Sequence, residues 1–464
     1  MVDAEWNRFN YYKSRVRTLG QTVHFGIVWH DVSTQTLREL SFYHPNALLL
    51  PNLHSLNFRI LPLDAFPFAR LFLGPSIKEI TIPIASDHAE SSVELLSSII
   101  PHLSPNILHL NISSITGISR PCSGIFQLIL GLHNLRSLNV DLKHRGLHEQ
   151  LSAQLGNLSA LGSLKMSLIQ PSHLQFYTTA LGQFPCLTEF SFAVDDWVSA
   201  ATIMDSMDCR FTDLAVTTHK EGSLSDLRTF TESMSRHPSL TSLTHLSLSD
   251  FETTPNDIDE TYIENTFRPL FGFTGLRYVN IQFDVSAKFR NSWYTDAAAA
   301  WPLLEIIFVG SPNMGPIKPK MTLAGLIPLV KHCTKLGSVK LRIDAQPFDP
   351  SQTEVSNTSI RKLCLETYII PSPREVFLSL IRIFPNLECV YQTSRFSGSV
   401  SWPWDEVNDM LHLSAVRRRG PCLNSKDGCT CGMTDPQVGP LKTRPKTPSS
   451  MLLRAATASL RPRS

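Results

Sequence analysis

No apolar run in this sequence is long enough to cross a bilayer. The longest, such as Gly124–Leu132, spans nine residues, against the roughly 20 that a membrane helix needs. The charged and aromatic start, Met1 to Arg17, lacks the apolar core of a signal peptide, so no cleaved leader and no membrane partner are expected. Charge is also sparse, at 18% of the chain, and nearly balanced, with 42 Lys and Arg against 40 Asp and Glu. It is unevenly spread. From Arg417 onward ten basic residues face two acidic ones, a net +8, which leaves 32 basic and 38 acidic residues, or −6, for the rest. A mildly acidic body is unsuited to a phosphate backbone, and no specific nucleic-acid partner is expected. The nine cysteines are scattered, as free thiols of a reduced, cytoplasmic or nuclear protein would be.

The signatures of catalysis are missing as well. There is no P-loop, no dinucleotide fingerprint after a strand, no G-x-S-x-G elbow and no H-E-x-x-H. The expectation is a protein that is not an enzyme, with no catalytic residues, no cofactor and no metal. The one spacing reminiscent of a metal site, Cys422-x6-Cys429-x-Cys431, offers three ligands where structural zinc takes four, and reads as reduced tail thiols.

What the chain does have is one short pattern, apolar-x-x-apolar-x-apolar, repeated thirteen times. It runs from Leu53/Leu56/Phe58 through Leu138, Leu164, Phe190, Leu214, Leu246, Val279 and Ile307 as second anchors to a weakening copy at Leu387/Val390. The mean spacing is about 28 residues, which lies in the range of leucine-rich repeats. Each copy is a strand signal, because alternate residues of a strand point to opposite faces. Helical periodicity follows in segments such as 91–103, 146–158, 172–184, 224–237, 322–333 and 374–384. The fold class expected is therefore α/β, a leucine-rich-repeat solenoid (horseshoe), with parallel strands on the concave face, helices on the convex face and irregular units of about 24–33 residues. Residues 1–48 form a capping helix, over 3–14, and a degenerate first repeat around 15–23. Residues 49–416 form the solenoid. Residues 417–464, rich in Pro, Ser, Thr and Lys/Arg, form a basic disordered tail.

The asparagine ladder of regular repeats is absent. The positions that would carry it hold Leu61, Ala85, Lys143, Asp195, His219 and Asp284 among others. This excludes the extracellular, short-helix kind and requires each turn to be satisfied in its own way. Two longer loops stand out, an acidic one over 249–260 and a Pro/Gly-rich one with two lysines over 310–322. They read either as surface drift or as insertions beside a binding face.

An array of this kind presents one extended surface and works by binding. The residues between the apolar strand positions are the candidate partner-binding set: Asn57, Glu79, His109, Asn111, Asn139, Asp141, Lys165, Glu189, Asp213, His245, Tyr278, Asn280, Lys340, Arg342, Lys362 and Glu366. Polar groups of both signs with a few aromatics suit a folded protein or peptide. Two outward positions are apolar, Ile306 and Phe308. They are either an anchor within an interface or a patch covered by loop 310–322.

The start W-x-x-F-x-x-Y-x-x-R-V-R (Trp6, Phe9, Tyr12, Arg15, Val16, Arg17), followed by the segments 49–58 and 72–82, resembles the fungal F-box/leucine-rich-repeat proteins. The resemblance covers about residues 3 to 416 and implies that the repeats hold a protein substrate for a cullin-type (SCF) ubiquitin ligase. In that family a helical F-box precedes this start and docks on the ligase adaptor. No Leu-Pro-x-Glu opening stands before Trp6, so the F-box is expected to be missing from this chain. The adaptor is a partner only if an F-box lies upstream.

Overall fold

The computed structural model describes residues 3–20, 33–43, 48–58, 63–84, 89–114, 123–141, 155, 158–169, 184–220, 222–250, 259–310, 318–349, 351, 354–367, 369–392 and 404–419. Apart from residues 155, 158 and 184, the helices expected over 146–158 and 172–184 lie outside these residues, as do the tips of the two long loops and the tail from residue 420 with its three cysteines. Two compact units are formed, one from residues up to 111 with 122–132, the other from 112–121 with 133–421.

In the first unit, helix Asp3–Lys13 precedes strand β1 (Thr18–Leu19), which pairs in parallel with β2 (Ser55–Asn57), and β2 pairs with β3 (Glu79–Ile84). The degenerate first repeat is thus a short strand. Strand β4 (His109–Ser114) begins where Leu108 and His109 both donate to the Lys78 carbonyl. A helix stands where one was expected, Asp3–Lys13, with Trp6 stacked on Phe9 at 5.1 Å. Its apolar stripe does not continue inward, however: Tyr12 is 48% exposed and Tyr11 59%. Helices Ala89–Leu103 and Ser123–Leu130 lie against each other. Gly124 permits that approach, since an added Cβ would come within 2.9 Å of the Glu94 backbone.

The second unit carries strands β5 (Ser137–Asp141), β6 (Ser163–Ile169), β7 (Glu189–Val194), β8 (Asp213–Thr218), β9 (His245–Asp250), β10 (Tyr278–Gln282), β11 (Ile306–Val309), β12 (Ser338–Arg342), β13 (Lys362–Glu366) and β14 (Cys389–Tyr391). Each pairs in parallel with the next in chain order. This is an α/β leucine-rich-repeat solenoid. The register is fixed by the pattern, because Leu138, Leu164, Phe190, Leu214, Leu246, Val279 and Ile307 fall opposite one another in succession. A one-residue slip would turn this whole column into water. Every member is at most 1% exposed, and each such side chain contributes about 1.5–3 kcal/mol on burial.

Helices Trp197–Asp205, Leu224–Arg236, Glu260–Phe267, Asn291–Ala300, Leu326–His332, Pro373–Ile383 and Asp405–Arg419 connect or follow the strands. Leu224–Arg236 and Leu326–His332 fall within the periodic segments read from the sequence, and Pro373–Ile383 matches 374–384 to within one residue. The apolar stripe of Leu224–Arg236, Leu227, Phe230 and Met234, is buried. The last helix runs to Arg419, whose neighbour Arg418 donates to the Leu387 carbonyl at 3.2 Å.

Backbone groups are satisfied without an asparagine ladder. The carbonyl just before each strand accepts two N–H groups from the entry of the next: Gly162 from Thr188 and Glu189, Thr188 from Thr212 and Asp213, Thr212 from Thr244 and His245. Threonine hydroxyls reinforce this column, with Thr188, Thr212 and Thr244 each donating to the same preceding carbonyl at 2.9–3.3 Å. At the far edge Asn408 takes the place of a further strand. Its Oδ1 accepts from Val390 N at 2.8 Å and its Nδ2 donates to Val390 O at 2.9 Å, which covers an otherwise open sheet edge.

His237 closes the turn before β9. Its Nε2 lies 3.0 Å from the Met207 carbonyl, so that nitrogen carries the proton, and Nδ1 accepts from Ser239 N at 3.2 Å. The ring stacks on Phe211 at 5.3 Å and is 6% exposed. Burial lowers its pKa from 6.5, outweighing the Met207 carbonyl and the carboxylates of Asp208 and Asp205, which act the other way. The unfolded chain therefore binds a proton that the native ring resists, and stability falls as pH drops below about 6.5. We expect urea titrations between pH 7 and pH 5.5 to show a shallower loss for His237→Asn than for the wild type. An unchanged slope would assign the loss to other groups.

Candidate functional site

The alternation of each strand sets its odd positions outward, and the register arranges these into rows. In the first unit Thr18, Ser55 and Glu79 align, as do Asn57 and Thr81. Glu79 and His109 are exposed, whereas Asn57 and Asn111 are half-buried.

In the second unit the first row reads Ser137, Ser163, Glu189, Asp213, His245, Tyr278, Ile306, Ser338. The second reads Asn139, Lys165, Ser191, Ala215, Ser247, Asn280, Phe308, Lys340, Cys364, Tyr391. Lys165, Glu189, His245 and Lys362 are exposed, and Asn139, Asp213, Tyr278 and Lys340 half-buried. Asp141 ends β5, and its side chain lies outside the described residues.

Three positions expected to face a partner do not reach solvent. Asn280 is 8% exposed, Arg342 3% and Glu366 2%. Asn280 is held within the face: its Nδ2 donates to Ser247 Oγ at 2.9 Å and its Oδ1 accepts from Gln282 Nε2 at 3.0 Å. Arg342 and Glu366 stand opposite each other in register, and Lys340 Nζ lies 3.8 Å from the Glu366 carboxylate. These opposite charges are placed for one another, which is what burial of charge demands. The loop lysines are engaged too, Lys318 with Asp344 at 2.9 Å and Lys320 with Glu260 at 3.0 Å.

The residues brought together are Glu189, Asp213, His245 and Tyr278, on four successive strands. His245 stacks on Tyr278 at 5.8 Å, and Tyr278 meets Phe308 edge-on at 5.8 Å. Phe308, half-buried, thus belongs to this group; residues 311–317 of the loop that could cover it lie outside the described residues. Burial raises the Asp213 pKa; His245 opposes the shift and Glu189 adds to it. Burial, with help from Asp213, also raises that of the Tyr278 hydroxyl. Beside the rings the floor is low, with Ser191, Ala215 and Ser247 in one row and Ala193, Thr217 and Ser249 in the next.

The Thr244 hydroxyl donates to the Thr212 carbonyl at 2.9 Å, so His245 Nδ1, 2.9 Å from that hydroxyl, is a donor to it and not its base. Among the described residues no group of three or more His, Cys, Asp or Glu could hold a metal ion, and no helix is long and apolar enough to cross a membrane. The five described cysteines form no disulfide with one another. Burial raises the pKa of Cys209 to about 11, with a smaller push from Asp208, and that of Cys333 to about 12, so neither supplies a thiolate near neutral pH.

No protein-family model matches this chain, and no curated protein matches it significantly. Among solved structures it is similar to a chain of the Rad7–Elc1 complex of yeast, with 14% identity over 80% of this chain and 88% of that one and a TM-score of 0.35. It is also similar to the leucine-rich-repeat-containing protein LegL7 from Legionella pneumophila, with 12% identity over 83% and 96% and a TM-score of 0.33. At these values the likeness says nothing about function.

Proposed function

We propose that this chain is a non-enzymatic, protein-binding leucine-rich-repeat module that takes its partner on the outward strand face. The observation that carries this reading is the group Glu189, Asp213, His245, Tyr278 and Phe308, where charge and aromatic surface meet over a low floor. Aromatic side chains near the centre of a contact carry much of the binding energy, and His245 is exposed beside the half-buried Tyr278 and Phe308. The double variant His245→Ala/Tyr278→Ala is expected to weaken partner binding by about thirty-fold, or roughly 2 kcal/mol, with its melting temperature within a few degrees of wild type. Cross-linking of wild type and variant in the same extract checks this. A partner captured equally by both would place binding elsewhere.

We further propose that the module is the substrate-recognition part of an SCF-type ubiquitin ligase, acting in the cytoplasm or nucleus. Its support is the sequence block from Trp6 to Arg17 and its likeness to F-box/leucine-rich-repeat proteins. Pull-down with the ligase adaptor tests it, using this chain and a version extended by the coding sequence upstream of Met1. Binding by the extended version supports the ligase role. If neither version binds while the strand face still holds its partner, the protein is a stand-alone scaffold.

A further inference from the structure

Like charges directly opposite on paired strands destabilise a sheet, yet Glu189 and Asp213 are register partners. Neither makes an ion pair with any described residue. The nearest basic side chain in the adjacent row, Lys165, is opposite Ser191 and exposed. On the strand next to Asp213 the acidic pair gives way to its register partner His245, which stacks on Tyr278, and then to Phe308. Across the strands the face therefore changes from negative to aromatic to apolar, in steps of about 4.8 Å.

A cation placed between the two carboxylates would remove their repulsion. The Tyr278 ring, half-buried and meeting Phe308 edge-on, offers apolar area to a second side chain. The small side chains of Ser191, Ala215 and Ser247 leave room for a backbone alongside. From the middle of the acidic pair to Tyr278 is about 12 Å, a distance that an extended segment covers in about four residues. A phosphate backbone would meet the carboxylates as like charges.

Resting on the reading that this face binds protein, we propose that it recognises an extended peptide segment in which an Arg or Lys is followed, about four residues on, by an aromatic or large aliphatic side chain. The basic residue sits between Glu189 and Asp213, and the apolar one packs on Tyr278 and Phe308.

The test uses the full chain, immobilised, and a displayed library of random twelve-residue peptides. Selected peptides are expected to carry the basic and apolar residues at that spacing. A synthetic copy should bind at least tenfold more weakly to Glu189→Gln/Asp213→Asn, and more weakly to wild type as salt rises. The double variant should melt at or above the wild-type temperature, because the native pair repels; a residue kept for stability would show the opposite. Selected peptides without a basic residue, or with undiminished affinity for the double variant, overturn this inference; if they are still lost in Tyr278→Ala, the strand-face reading stands. Peptides indifferent to all these substitutions, or no enrichment at all, overturn both.

Discussion

Leu246→Asp is expected to abolish the cooperative folded state of the second unit at room temperature, whereas Val390→Asp should fray only its end. Leu246 is fully buried, with Leu214 opposite on one side and Val279 on the other. Leu246→Ala would already cost about 2–5 kcal/mol. The aspartate adds an ion with no partner in an apolar column, a change in the class of the largest single-residue losses, above about 4–5 kcal/mol. Whole domains have only about 5–15 kcal/mol to lose. A repeat array passes the damage to its neighbours, because each unit is stable only through its interfaces. Val390 has one strand neighbour, Leu363, and the side chain of Asn408 on its other edge. Losing that end leaves the interior column intact. Hydrogen exchange separates the two outcomes: Leu246→Asp should remove protection from β8, β9 and β10 together, and Val390→Asp from β14 and the helix Asp405–Arg419. Protection surviving in β8 and β10 of Leu246→Asp would mean that these repeats fold independently.

The strands were legible because their signal is local and doubled: an apolar alternation within each unit, and the same alternation recurring along the chain. Helices were legible where one face meets water, as in Leu224–Arg236. Helix Trp197–Asp205 was not, since six of its nine residues are buried and no polar stripe marks its period. Asn291–Ala300 hid for a related reason: half of its buried face is Ala297 and Ala298, which carry little hydropathy although alanine is the best helix former. The site was legible as a set of directions but not as a surface. Alternation assigns Asn280, Arg342 and Glu366 to outward positions, yet an outward position is not exposed when a residue on the next strand lies across it. Phe308 presents the opposite case. It reads as an anomaly in sequence and becomes part of a cluster only when the register sets it beside Tyr278. Asn408 was invisible altogether, because nothing local distinguishes a helical asparagine that stands in for a strand.

The second large effect is expected in the aromatic cluster around Trp293, where size and hydrogen bonding can be separated. Trp293 is 1% exposed, stacks on Phe289 at 4.2 Å and meets Trp301, Tyr294 and Phe271 at 6.0, 5.1 and 5.6 Å. Trp293→Ala should cost about 3–5 kcal/mol, because these rings cannot all collapse into the space. Trp293→Phe should cost far less than its lost volume suggests. The Trp293 Nε1 is buried with no hydrogen-bond partner among the described residues, and an unmet buried donor carries a penalty of about 1–3 kcal/mol that phenylalanine removes. Trp301 is the control. It is fully buried, but its Nε1 donates to the Leu270 carbonyl at 3.3 Å. Trp301→Phe loses volume and a satisfied hydrogen bond, leaving that carbonyl with the Phe273 N–H alone, so it should fall about 2 kcal/mol below Trp293→Phe. Urea midpoints at equal m-values measure the difference. Equal losses for the two phenylalanine variants would mean that Trp293 Nε1 is satisfied after all, and that the cluster is held by ring packing alone.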